Sequence, residues 1–116
     1  MEKNTKPLNL EYLDEISAGD IQFKKDLIKI FLSQIPEFIS NLKKFYADND
    51  LKNLAKEAHT AKSSVLIFGM DDTGSSLKRL QILAEENDAG EIQQIIQSVE
   101  KELEIMSGLL TDFVNS

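Results

Sequence analysis

The sequence predicts an all-α protein: an antiparallel four-helix bundle with a short additional helix at its N-terminus. Three observations predict it. Apolar residues recur at steps of three and four along most of the chain, the spacing of one face of an α-helix. Only two prolines occur, Pro7 and Pro36, and no period-two alternation is sustained. The breaks between periodic segments are short, and four amphipathic helices joined by short connections bury their stripes best as an antiparallel bundle.

Residues 1–7 read as a polar tail, and the bundle domain is expected over 8–116. The first, short helix carries Leu8, Leu10, Leu13 and Ile16. Ser17-Ala18-Gly19-Asp20 ends it, and Asp20 suits the N-cap of the next element. That element spans about 20–48, with Leu27, Phe31, Ile35, Phe38, Leu42 and Phe45 on one stripe. Pro36 lies inside it and removes a backbone bond to the Leu32 carbonyl. The stripe continues on both sides of the proline, so one kinked helix is expected rather than two. Asn49-Asp50 marks a turn and a cap. A third long helix follows over about 50–68, through Leu54, Ala58, Ala61, Val65 and Phe68, and Gly69 stops it. Asp71 and Asp72 open a fourth helix, where carboxylates complement the dipole. It runs to about 87 through Leu77, Leu80, Leu83 and Ala84. Asp88-Ala89-Gly90-Glu91 has capping-box spacing. The fifth helix carries Ile92, Ile95, Val99, Leu103, Met106, Leu110 and Phe113.

A chain of 116 residues is long enough for one hydrophobic core and short for two. It has no cysteine, which excludes a disulfide framework, a thiolate metal site and a thiol nucleophile. No apolar run reaches membrane-spanning length, and the first residues lack the apolar core of a signal peptide, so a cytoplasmic location is expected. The net charge is −7, and Arg79 is the only arginine. Such a chain is a poor binder of nucleic acid or of an anionic membrane, which leaves protein partners. Met1 and the polar tail lean toward a stand-alone protein, and a monomer is expected.

His59 is the only histidine, so a two-histidine metal site is excluded. No glycine-rich phosphate cradle is present, so the chain is not expected to use ATP directly. With about 100° per residue and Leu54 at 0°, the core stripe of the third helix stays within about 40° of zero; His59 falls at about 140°, toward solvent. One turn to either side stand Ala55, Lys56, Lys62 and Ser63. Lys52 lies two turns back on the same side, and Leu66 about one turn further along the strip. A lone exposed histidine is commonly no more than a solvated surface residue. Here three lysines surround it in an acidic protein, and the small Ala55 and Ser63 leave the ring approachable. Imidazole titrates near pH 6.5 and is mostly neutral at cellular pH, so a ring nitrogen is available as a nucleophile toward phosphorus. Phosphoryl transfer asks chiefly for positioning and charge stabilisation. Lys62, one turn from the ring, is the candidate cation. Apolar contacts around Ala55, Ser63 and Leu66, rimmed by Lys52 and Lys56, are the candidate partner surface.

The segment Ala58-His59-Thr60-Ala61-Lys62-Ser63-Ser64-Val65, followed by Phe68-Gly69-Met70, resembles the signature of histidine-containing phosphotransfer (HPt) domains, A-H-x-L-K-G-S-S and then an aliphatic stretch and a glycine. The resemblance extends over about residues 10–114 and includes the mid-helix proline. It implies a four-helix bundle whose exposed histidine accepts a phosphoryl group from a receiver-domain aspartate and donates it to another receiver, between a hybrid histidine kinase and a downstream response regulator. Carried over, His59 is the phosphorylated residue, at Nε2, and Lys62 contacts the phosphoryl group. No cofactor is implied for this chain; the receiver would supply Mg2+. Ala61 stands where the family has leucine, and Ser63 where it has the glycine that clears space beside the histidine. Either change bears on transfer rate or partner choice.

Two other readings stay open on the residues alone. One is a bundle that binds receiver or kinase domains without being phosphorylated; retention of both His59 and Lys62 speaks against it. The other is a carboxylate-based or metal enzyme built on Asp71-Asp72 or Glu85-Glu86, pairs that read better as helix caps and as a solvated face.

Overall fold

The computed structural model describes residues 10–115. Five α-helices make up the described chain: α1 (Glu11–Ser17), α2 (Ile21–Ala47), α3 (Leu51–Ile67), α4 (Asp71–Glu85) and α5 (Ile92–Asn115). The expected tail over 1–7, and Leu8, lie outside the described residues. Helices α2 to α5 close a ring: α2 packs on α3, α3 on α4, α4 on α5, and α5 back on α2. The all-α four-helix bundle is therefore as expected, with α1 laid against α2. Among the described residues, no helix is long and apolar enough to cross a membrane.

Local chemistry sets the helix boundaries. The Asp20 carboxylate accepts the Phe23 N–H at 3.0 Å and caps α2. At the C-terminal ends of α2, α3 and α4 the same device recurs. Asn49, Gly69 and Asn87 adopt left-handed φ of 56°, 73° and 57°. The N–H of the following residue then reaches back to a carbonyl in the last turn: Asp50 to Phe45, Met70 to Val65, Asp88 to Leu83. These are Schellman closures, and glycine and asparagine are the residues that tolerate the required conformation. Helix α2 runs unbroken through the solvent-facing Pro36, one helix rather than two.

The core comprises the expected stripes with a few shifts. Phe31 and Phe68 stack with ring centroids 4.2 Å apart and planes at 8°, joining α2 to the end of α3. Ile16 is 41% exposed rather than core. In the seven-residue α1 the inward line runs from Leu13 to Ser17, one full turn, and buries the serine, whose hydroxyl donates to the Asp14 carbonyl. Ile95 is half-buried and Ile96 is buried. The α5 stripe thus starts Ile92, Ile96, Val99, a four-three alternation that keeps one face inward over a long helix. The capping box before α5 does not form. Glu91 instead takes Arg79 Nε and Nη2 at 3.1 and 2.6 Å, and Asp88 Oδ1 accepts the Gly90 N–H at 3.3 Å.

Phe31 is 1% exposed. Phe31→Ala is expected to cost about 3–5 kcal/mol, the usual loss for a core phenylalanine. Chemical denaturation measures it, and a loss under about 1 kcal/mol would mean that the ring contributes little to the core.

Candidate functional site

Helix α3 holds the only histidine, and three contacts fix how it is presented. Its start is capped by Asp50, whose carboxylate accepts the Asn53 N–H at 3.3 Å and the Asn53 side-chain amide at 2.7 Å. Those two bonds hold the Asp50 carboxyl below the usual carboxylate range, the side-chain bond contributing most; Lys52 and Lys56 add to the effect. Its end is closed at Gly69. Between them Leu54, Ala58, Ala61 and Val65 are fully buried. That fixes the rotation of the helix and turns His59 outward, where it is exposed. Ala61, standing where a leucine was the pattern, is itself fully buried, so its smaller volume opens no path to solvent.

Around the imidazole lies an open groove of about 790 Å³ between α3 and α4. Lys52, Ala55, Lys56, His59 and Thr60 line it from α3, Gln81, Ala84 and Glu85 from α4, and Asn87 from the turn beyond. Lys56, expected beside the histidine, is exposed and in this lining. Ala55 also lines the groove, but it is only 6% exposed. It forms the floor rather than an outward contact, because its position falls at the edge of the buried stripe of α3. Lys62 is half-buried one turn along α3 and lies outside the groove lining. Ser63 is exposed, and its hydroxyl donates to the His59 carbonyl at 3.3 Å; Thr60 does the same to Lys56 at 3.1 Å. Both hydroxyls are thus engaged with the helix backbone. Leu66 is 42% exposed and lies over Gly74 of α4, so close that a Cβ at 74 would come within 2.6 Å of its Cδ2.

Sequence reasoning about His59 missed the α4 side of the groove. Gln81 donates from Nε2 to Glu85 Oε2 at 3.0 Å, and both face the space beside the ring. A signal for them exists. Helices α3 and α4 fold back about Met70, so residues equidistant from it meet: Leu66 meets Gly74, and His59 shares the groove with Gln81. A second, apolar hollow of about 190 Å³ was also missed. Ile16 of α1, Leu27 and Ile30 of α2, and Ser64 and Ile67 of α3 are among its lining. Ile30 there is 56% exposed. The Asp71-Asp72 pair occupies the first turn of α4, as helix-dipole complementation requires.

The structure thus sets one exposed imidazole on a capped helix of a helical bundle. The Hpt domain family model matches residues 26–111, and the chain belongs to that family. Among individual proteins it is similar to the phosphorelay intermediate protein YPD1 of Candida albicans, with 28% identity over 69 residues. That match covers 60% of this chain and 36% of the relative, so the matched part is about a third of the relative's length. No solved structure gives a significant match.

The Asp50 cap makes the stability of α3 depend on pH. A carboxyl whose folded-state pKa is depressed contributes stability above its unfolded value, near 3.9, and loses it as pH falls through the folded value. Asn also caps helices but does not titrate. Asp50→Asn is therefore expected to fall less steeply in melting temperature below about pH 4 than the native chain. Parallel acid limbs in the two proteins would show that the cap does not couple to protons.

Proposed function

We propose that this chain is a histidine phosphotransfer protein: His59 accepts a phosphoryl group from a receiver-domain aspartate and passes it to another receiver in a phosphorelay. The observation that carries this reading is the exposed His59 ring on a helix held at both ends, in a chain of the Hpt family. The similarity to a phosphorelay intermediate protein supports it.

The chemistry asks little of the chain itself. A ring nitrogen of neutral imidazole attacks the aspartyl-phosphate phosphorus. The N–P bond forms as the P–O bond to aspartate breaks, and the carboxylate is released. The reverse exchange loads the next receiver. The receiver supplies Mg2+, and this chain contributes position and nearby cations, with no kinase activity of its own. Lys62 is the proposed phosphoryl contact. The residue is half-buried, which limits its reach, and its charge counts for more once a docked partner excludes water.

The receiver docks over the α3 face, with Ser63 and Leu66 as contacts and Lys52 and Lys56 as rim. The apolar hollow at Ile30 and Ile67 extends that face and suits the apolar part of the contact. The partners are a hybrid-kinase receiver upstream and a response regulator downstream, and the same proposal sets the exchange in the cytoplasm with the chain as a monomer.

His59→Gln is expected to abolish labelling by a phosphorylated receiver and to leave unfolding stability within about 0.5 kcal/mol, since an exposed side chain adds little. Acid-labile, alkali-stable label on the native chain is the supporting result. Receiver binding without label would favour a bundle that only binds. Lys62→Ala is expected to slow transfer about two- to tenfold without abolishing it, the scale of one partly screened charge. Single-turnover transfer with a phosphorylated receiver measures this, and an unchanged rate would place the cation elsewhere.

A further inference from the structure

The groove beside His59 has two walls of opposite sign. Helix α3 contributes Lys52 and Lys56, and α4 contributes Glu85. Glu85 is the last residue of α4, whose final turn has no basic residue. The carbonyl end of a helix is itself negative, so the field of α4 adds to that of the carboxylate. Glu85 is also restrained, because Gln81 donates to its Oε2 at 3.0 Å. The bond keeps the carboxylate beside the groove and engages one of the two amide hydrogens that Gln81 could offer to a group on the ring. The charged side chains lining the groove with His59 are thus Lys52 and Lys56 on one side and Glu85 on the other; Lys62 stands one turn along α3.

We propose that Glu85 raises the free energy of the loaded state, its charge disfavouring phosphohistidine at His59 and so favouring onward transfer. The inference rests on His59 being the phosphoryl acceptor. A phosphoryl group brings between one and two negative charges into the groove. The lysines attract it and Glu85 repels it. An intermediate that must release what it accepts is served by such a balance, since lysines alone would deepen the loaded state and slow its discharge.

The test needs no cognate partner. Phosphoramidate carries phosphorus on an amine leaving group. The unprotonated ring nitrogen of His59 attacks phosphorus and the new N–P bond forms as the old one breaks. Ammonia leaves and takes up the ring proton as ammonium. At fixed phosphoramidate and ammonium, intact mass reads the ratio of phosphorylated to free protein. In Glu85→Gln, which keeps an acceptor oxygen for Gln81, that ratio is expected to rise about two- to fivefold at low salt, the scale of an exposed charge pair. In Lys56→Gln it falls by a similar factor. Both differences should shrink toward unity near 1 M salt, where the screening length is about 3 Å. Melting temperatures should stay unchanged. Equal ratios for native and Glu85→Gln at low salt, or a difference that survives high salt, would overturn the inference and leave the phosphotransfer reading intact. Failure of the native chain to label at His59, with His59→Gln as control, would overturn both.

Discussion

Burial of Leu54, Ala58, Ala61 and Val65 against the neighbouring helices fixes the rotation of α3 about its own axis, and the placement of every other side chain on that helix follows from it. His59 points out because Ala58 points in. The groove floor at Ala55, the half-buried Lys62 and the outward Ser63 are consequences of the same register. The alanines on this buried face let α3 lie close to its neighbours, and interaxial distance depends on the side chains at the contact. Gly74 extends that closeness at the far end of the α3–α4 pair, where Leu66 occupies the space a Cβ would need.

This dependence explains which features are legible in the sequence. Helical period alone places the four stripes, and it places His59 off the core, because both are properties of one helix at a time. Caps at Asp20 and Asp50 are legible for the same reason: the donor and acceptor are three residues apart. What period cannot supply is pairing between elements. Glu91 has capping spacing to Asp88, yet Arg79 on α4 competes for its carboxylate and wins. Ile16 fits an apolar stripe on paper, but α1 is too short to bury more than the line through Leu13 and Ser17. The α4 side of the groove exists only once the chain has reversed at Gly69. Gln81 and Glu85 therefore gain their meaning from the fold, though their distance from the turn encodes it.

The charge pattern also acquires sense only in three dimensions. A net charge of −7 describes an acidic protein, yet Lys52, Lys56 and Lys62 gather on the one helix that carries the histidine. Acidic residues collect instead around the α4–α5 connection, at Glu85, Glu86, Asp88 and Glu91. The field far from the surface is thus negative, while the local field near the ring is mixed in sign.

The left-handed closures at Asn49 and Gly69, with the Asp50 cap between them, clamp α3 at both ends. A helix so held, with its inner face filled, is expected to keep its arrangement when a new charge is placed on its outer face. Loading the ring would then alter the molecule's chemistry and hardly its shape. On the proposed phosphotransfer reading, whatever distinguishes the loaded from the empty form would have to touch the ring. Information would then travel as transferable chemical potential, not as conformation, and one rigid surface would serve giver and taker alike.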